Sequence, residues 1–369
     1  MGDRVLGEGN YRMRDYLPGN TQETTVSDSY KVCISSQKPH WAPYLTANHC
    51  ATIYHDPSWG DLMAAAYGNR PFYLTVRSEG TIVGVLQLIR QKSLLFGRHL
   101  ASLPYFDSAG ILADDDQVRE ILISQARHLG RTLRVQWVEL RQAGPPNKSL
   151  PTRTDKVTLQ LELPRSADDL WTQLKAKVRN QIRKAQRADL VCTRGRSELL
   201  REFYSIYVRN MRDLGSPPHS WSFFRLICER LTDSVHLFVV RKGRQPVAAS
   251  LTLGDTHILR VPWAGSDWRV RNLCPNMLLY WEMLAFSCSN GFKQFDFGRS
   301  TRNAGTYQFK RQWGPQEVAL YWQYLLPEGQ KMPELTPDNP KYRFMVALWK
   351  RLPIWLARTI GTRVIGKLS

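Results

Sequence analysis

The chain has 369 residues, 43% of them hydrophobic and 11% aromatic, including 12 Trp. It is too long for one ordinary core, rich enough for two, and neither disordered nor fibrous. Lys and Arg number 51 against 32 Asp and Glu, a formal charge of +19, which implies an anionic partner (nucleic acid, nucleotide phosphates or an acidic membrane face) or a solvated basic surface.

The first 40 residues are polar and unpatterned and are expected to form a loosely docked arm; they contain no apolar secretory signal. Asp56-Pro57-Ser58-Trp59 opens a helix, with Asp56 as N-cap and Pro57 at the first helical position, that stops at Gly68. Phe72–Arg77 and Thr81–Ile89 read as a strand hairpin, Asp115–Leu129 as a helix closed by Gly130, and Trp137–Leu140 as a short strand. Gly144-Pro145-Pro146 and Pro151 mark a linker that divides the chain near 150.

In LWTQLKAKVRNQIRKAQRADL (170–190), Leu170, Leu174, Val178, Ile182 and Ala185 recur at helical spacing. Six of the 13 residues from Lys175 to Arg187 are Lys or Arg, which gives one helix with a buried edge and a cationic flank. Arg179 and Arg183, at i and i+4, share a face suited to phosphates; anionic lipid and plain solvent are the other readings of that flank. A second α/β pattern follows: a helix over 221–231, strands over 236–241 and 247–253, a helix from Pro275 to about Ser289, and strands at 292–297 and 320–326. VRSEGTIVGVLQL (76–88) and VRKGRQPVAASLTL (240–253) share V-R, a turn glycine, a Val followed by a small residue, and L-x-L, the mark of a duplicated module. Residues 341–367 are rich in Trp, Leu and Ile with basic interruptions. They suit either an interfacial amphipathic helix or one packed on the protein body, broken in both cases at Pro353.

The sequence has no G-x-x-x-x-G-K-[ST], G-x-S-x-G, H-E-x-x-H or clean G-x-G-x-x-G. The six cysteines, at 33, 50, 192, 228, 274 and 288, form no C-x-x-C pair, so neither a metal site nor a disulfide framework is expected, and a reducing, cytoplasmic setting is. The densest chemistry is Asp296-Phe297-Gly298-Arg299-Ser300 followed by Tyr307, Phe309, Lys310 and Trp313. A carboxylate ending a strand beside a glycine turn is placed to line a cleft. Equally, Asp296 could pair with Arg299 or cap the turn, and Lys310 could be a surface cation.

The run DFGRSTRNAGTYQFKRQWG, with KVRNQIRKAQR, HDPSWGDLMAAAYGNRPFYL, SLPYFDSAGILADDD and PNMLLYWEML, resembles the FemAB group of acyltransferases, above all the FemAB-related proteins of exosortase (PEP-CTERM) and exopolysaccharide systems. The resemblance covers about residues 50–350. It implies an α/β fold of two tandem GNAT-like modules, mixed sheets flanked by helices, here 41–150 and 151–330, with a basic amphipathic tail over 331–369. It also implies transfer of an acyl or aminoacyl group onto an amine of a cell-envelope or exopolysaccharide precursor. The donor would be acyl-CoA or aminoacyl-tRNA as co-substrate, with no tightly bound cofactor. Phe309-Lys310 matches a Phe-Lys pair whose lysine stabilises the transition state, Arg179 or Arg183 matches a phosphate-binding arginine, and Asp107 matches an acidic residue at the acceptor cleft. Lys310, Asp296 and Asp107 are therefore the catalytic candidates. Arg179, Arg183, Arg299, Ser300, Tyr307, Phe309 and Trp313 are the substrate-binding ones. The competing reading is a non-catalytic basic scaffold that binds RNA, tRNA included, or an anionic membrane surface through 341–367.

Overall fold

The computed structural model describes residues 21–93, 97–142, 144–333 and 340–367. Two compact units emerge. One comprises the described residues up to Thr154 together with Leu320–Pro333; the other comprises Asp155–Ala319 and the C-terminal helices through Ile365.

The first unit is a nine-stranded mixed sheet with Thr21–Ser27 at one edge, followed by Tyr30–Ser35, Arg70–Ser78, Thr81–Ser93, Gly97–Ala101, Val138–Gln142, Tyr321–Leu325 and Thr152–Arg153, while the ninth strand, Leu112–Ala113, pairs with Thr81–Ser93 off this path. Every pairing on that path is antiparallel except Gly97–Ala101 with Val138–Gln142. Asp115 caps the helix Asp116–Thr132, its carboxylate accepting from the Val118 N–H at 2.7 Å. Val118, Leu122, Ala126 and Leu129 then fall on one helical face and bury against the sheet.

The second unit repeats the plan. Its sheet runs Leu190–Gly195, Val235–Lys242, Gln245–Gly254, Ile258–Ser266, Gln294–Asp296, Lys156–Glu162 and Ser300–Thr301, with Gln316–Ala319 also on Lys156–Glu162. Again one pair is parallel, Ile258–Ser266 with Gln294–Asp296, and again a helix, Pro275–Ser289, makes the crossover. The repeat seen in the sequence has a structural counterpart. The Val-Arg dipeptide of each hairpin lies at a register shift, Val76/Arg77 in one and Val240/Arg241 in the other. The expectation of two α/β modules, each a mixed sheet flanked by helices, therefore holds.

Four expectations are corrected. Thr21–Ser27 and Tyr30–Ser35, inside the expected arm, are paired strands whose Val32 and Ile34 enter the core; residues 1–20 lie outside the described set. The second module is not the continuous span 151–330, because Tyr321–Leu325 hydrogen-bonds to Val138–Gln142 in the first sheet. The basic segment is two helices, Ala167–Gln173 and Ala176–Arg187, since Leu174 is extended (ψ 140°) while its side chain stays buried. Gly130 does not end its helix, which continues to Thr132; it is small because a Cβ there would lie 2.9 Å from Val138 Cγ2. Pro353 does separate two helices, Pro340–Trp349 and Ile354–Val364. No helix among the described residues is long and apolar enough to cross a membrane.

Three histidines give the fold a pH dependence. His219 stacks on Phe223 at 4.4 Å, and burial pushes its pKa down to about 3; burial likewise lowers His99 and His236 to about 4. These imidazoles are held neutral in the fold, whereas the unfolded chain takes up protons below about pH 6.5. The unfolded state thus binds more protons between about pH 6.5 and 4, and stability rises with pH across that window. Denaturation midpoints are expected to fall steadily from pH 7 to 4; a flat profile would contradict the buried, neutral assignment.

Candidate functional site

In the second unit, the parallel pair carries the site. Ile258–Arg260 are in register with Gln294–Asp296, but the partner strand then ends. The chain turns at Gly298 (φ 74°), and Ser300 pairs with Val157 on the far side. Among the described residues, no strand pairs with Val261–Ser266 on that side, so the sheet opens beside the turn. Glycine is required at 298: besides its left-handed φ, a Cβ would stand 2.6 Å from the Val261 carbonyl oxygen.

Asp296 and Lys310 hold this turn from two directions. Asp296, 8% exposed, accepts from the Thr158 hydroxyl and from the Gly298 N–H (2.7 Å) on Oδ1, and from Gln160 Nε2 (3.3 Å) on Oδ2. It therefore caps the turn, one of the readings left open by its sequence, and its register partner Arg260 is paired with Asp255. Lys310, 9% exposed, is not a surface cation. It sits on the short helix Gly305–Arg311, and its Nζ donates to the carbonyls of Gly298 (2.8 Å) and Arg299 (3.0 Å). A buried ammonium and a buried carboxylate thus flank a single glycine turn at the mouth of the opening. Ser300 Oγ is buried there without a hydrogen-bond partner.

The aromatic candidates are placed differently from expectation. Phe309 and Trp313 pack with Tyr280, at 5.1 and 6.2 Å between rings, as part of the unit's main core. Tyr307 donates to Glu317 Oε2 at 2.7 Å, and Glu317 also receives Arg302. These rings anchor the Lys310 helix on the core. Sequence reasoning missed Thr158 and Gln160; the signal available was the alternation in KVTLQLE, which sets Thr158 and Gln160 on the face opposite Val157, Leu159 and Leu161.

The basic helix buries Val178, Ile182 and Ala185, leaves Arg179 half-buried, and exposes Arg183, whose guanidinium lies 5.3 Å from the Trp171 ring centre. Its N-terminus has no side-chain cap and no acidic residue in the first turn. Lys175, Lys177 and Arg179 crowd the end where the helix dipole is already positive, a repulsion that a bound anion relieves.

Asp107 belongs to the first unit. Its loop includes Leu103 (φ 129°) and Tyr105 (φ 73°), both strained for residues with a side chain. Arg141 ties the loop down, with Nη1 donating to the Phe106 carbonyl at 2.9 Å and Nε to Glu139 at 2.6 Å, while its guanidinium stacks 4.3 Å from Trp322. Glu139 and Arg141 also went unmarked in the sequence; alternate charges in VELRQ, a strand buried at every position, were their trace.

Residues 172–311 match the family model described as the acetyltransferase (GNAT) domain, a span containing the basic helix, the sheet opening, Asp296 and Lys310. No curated protein sequence matches the chain. Among solved structures, that of FemX is similar with a TM-score of 0.59 and 13% identity over 76% of this chain and 94% of that one. The structure of L-PGS from Bacillus licheniformis is similar with a TM-score of 0.51 and 11% identity over 81% of this chain and 98% of that one. Residues 172–311 of the second unit are thus similar to the acetyltransferase (GNAT) domain, within a two-module α/β fold similar to that of the FemX structure.

Proposed function

We propose that the chain is a FemAB-like acyltransferase that forms an amide on an amine of a cell-envelope or exopolysaccharide precursor, using aminoacyl-tRNA or acyl-CoA as donor. The observation that carries this reading is the coincidence of the GNAT-matching span with a sheet opening bordered by a buried Lys310 and Asp296. The amine lone pair attacks the acyl carbon, the ester C–O or thioester C–S bond breaks, and the amine proton passes to the leaving atom directly or by way of a carboxylate. Lys310 supplies a fixed positive charge beside the turn where the oxyanion forms, at little reorganisation cost because the carbonyls of Gly298 and Arg299 already hold it. Asp296 keeps the turn in place. Arg299 and Ser300, on the turn itself, contact the donor.

Arg179 and Arg183 are proposed to bind the donor's phosphates. The double change to alanine is expected to weaken donor binding roughly tenfold or more and to flatten its salt dependence by about one unit of log–log slope for each phosphate no longer neutralised. An unchanged slope would remove the pair from the donor site. Calorimetric titration with acetyl-CoA and then with charged tRNA, at moderate salt to suppress non-specific attraction, tests the donor. Saturable 1:1 binding of one of them is expected, and saturable binding of neither would overturn the reading.

A further inference from the structure

A cleft in the second unit lies away from the Asp296 turn. It encloses about 1220 Å³ between the helix Leu200–Leu214, the first turn of the helix Trp221–Arg230, and the C-terminal helix Ile354–Val364. Four arginines line it: Arg201, Arg209, Arg358 and Arg363. Its one carboxylate, Glu198, accepts the main-chain N–H of Arg196 at 2.7 Å. Arg209 stands 3.8 Å from Asp267, and among the described residues Arg201, Arg358 and Arg363 make no ion pair. Three uncompensated guanidiniums around a concavity repel one another and favour a multivalent oxyanion that takes paired N–H donors.

The lip of the cleft indicates what carries that oxyanion. The C-terminal helix packs Ala357 and Gly361 inward, with Gly361 so close to Pro218 that a Cβ would lie 2.3 Å from Pro218 Cδ. That seating turns Trp355 (67% exposed) and Ile360 (38%) outward, and the preceding helix exposes Met345 and Leu348. Trp221, itself lining the cleft, is also exposed. Residues 340–367 contain seven Lys or Arg and no Asp or Glu. An exposed Trp- and Leu-bearing face with uniformly positive charge is the complement of an anionic lipid surface. We propose that this face rests on an anionic membrane and that the cleft takes the phosphate of a phospholipid headgroup. Neither step rests on the transferase reading.

The test is co-sedimentation of the full chain with phosphatidylcholine vesicles with and without phosphatidylglycerol. Wild type is expected to bind only the phosphatidylglycerol vesicles. Arg358→Gln with Arg363→Gln is expected to weaken that binding roughly thirtyfold, from about 1 kcal/mol per basic residue at the surface. Lys242→Gln with Arg244→Gln removes the same charge from an exposed hairpin turn and is expected to bind within about threefold of wild type, the change left when charges act only at long range. Trp355→Ser is expected to weaken vesicle binding without altering the melting temperature. Equal losses in the two double variants, or no vesicle binding by wild type, would overturn the proposal. Glycerol 3-phosphate binding the cleft as tightly as the vesicles do would assign it to a soluble phosphate ester and overturn the lipid.

Discussion

Replacing Lys310 by alanine is expected to lower turnover by about a hundredfold or more, the scale of a lost oxyanion donor. Two effects act together. The reaction loses its buried positive charge, and the carbonyls of Gly298 and Arg299 lose a donor that reaches them at 2.8 and 3.0 Å. A buried acceptor stripped of its partner costs on the order of 1–3 kcal/mol, so the melting temperature should fall as well. Lys310→Arg separates the two: its guanidinium can still donate to the two carbonyls, but it spreads the charge over a planar fork instead of placing it on a compact ammonium beside the turn. An arginine variant that regains stability without turnover would mark Lys310 as catalytic. Wild-type turnover in a folded Lys310→Ala protein would remove the assignment.

The largest loss of stability is expected in the first unit, from Arg141→Met. Glu139 and Arg141 form an ion pair at 2.6 Å with side chains only 4% and 8% exposed. Burial alone would raise the Glu139 carboxyl, but the adjacent guanidinium outweighs it and holds the group below the usual carboxylate range. Removing one member of such a pair leaves a buried charge uncompensated and costs about 3–5 kcal/mol. The sign of the pH dependence follows. In the wild type the depressed carboxyl contributes stability above its unfolded pKa and loses it as pH falls through the folded value. In Arg141→Met the carboxyl pKa rises instead, so protonation relieves the penalty, and the variant's deficit should shrink as pH falls towards 5. Glu139→Gln, which strands the guanidinium, should show a similar deficit without that relief. Denaturant titrations at several pH values distinguish these outcomes, and a deficit below about 1 kcal/mol in both variants would mean that the pair is solvated. Because Arg141 also grips the Phe106 carbonyl, the same variants should loosen the Asp107 loop.

Local rules located most of the elements. The Asp115 cap, the Gly68 stop and the Val-Arg hairpins depend on neighbours within a few residues, so they were legible in the sequence. The failures depended on distant partners. The strand Tyr30–Ser35 was hidden because it joins the sheet only by pairing with Arg70–Ser78, about 40 residues later, and Tyr321–Leu325 leaves its sequence neighbours to pair with residues about 180 positions earlier. The break at Leu174 is hidden in the sequence because the residue keeps its apolar side chain in the same core as the helices on either side. At the candidate site, motif and glycine turn marked Asp296 and Lys310, whereas Thr158 and Gln160 come from a strand more than 130 residues away, which no spacing rule could join to them. Phe309 and Trp313 resemble cleft residues in the sequence because aromatics beside a catalytic motif look alike whether they face substrate or core; here Tyr280 claims them for the core.

The most direct test of the account is product detection. Purified protein would be incubated with acetyl-CoA, and separately with charged tRNA, in the presence of amine-bearing saccharide and peptidoglycan-type acceptors, and the amide followed by mass spectrometry. The account expects amide formation from one donor class by wild type, reduced about a hundredfold in Lys310→Ala. No amide from either donor, or equal amounts from both proteins, would contradict it.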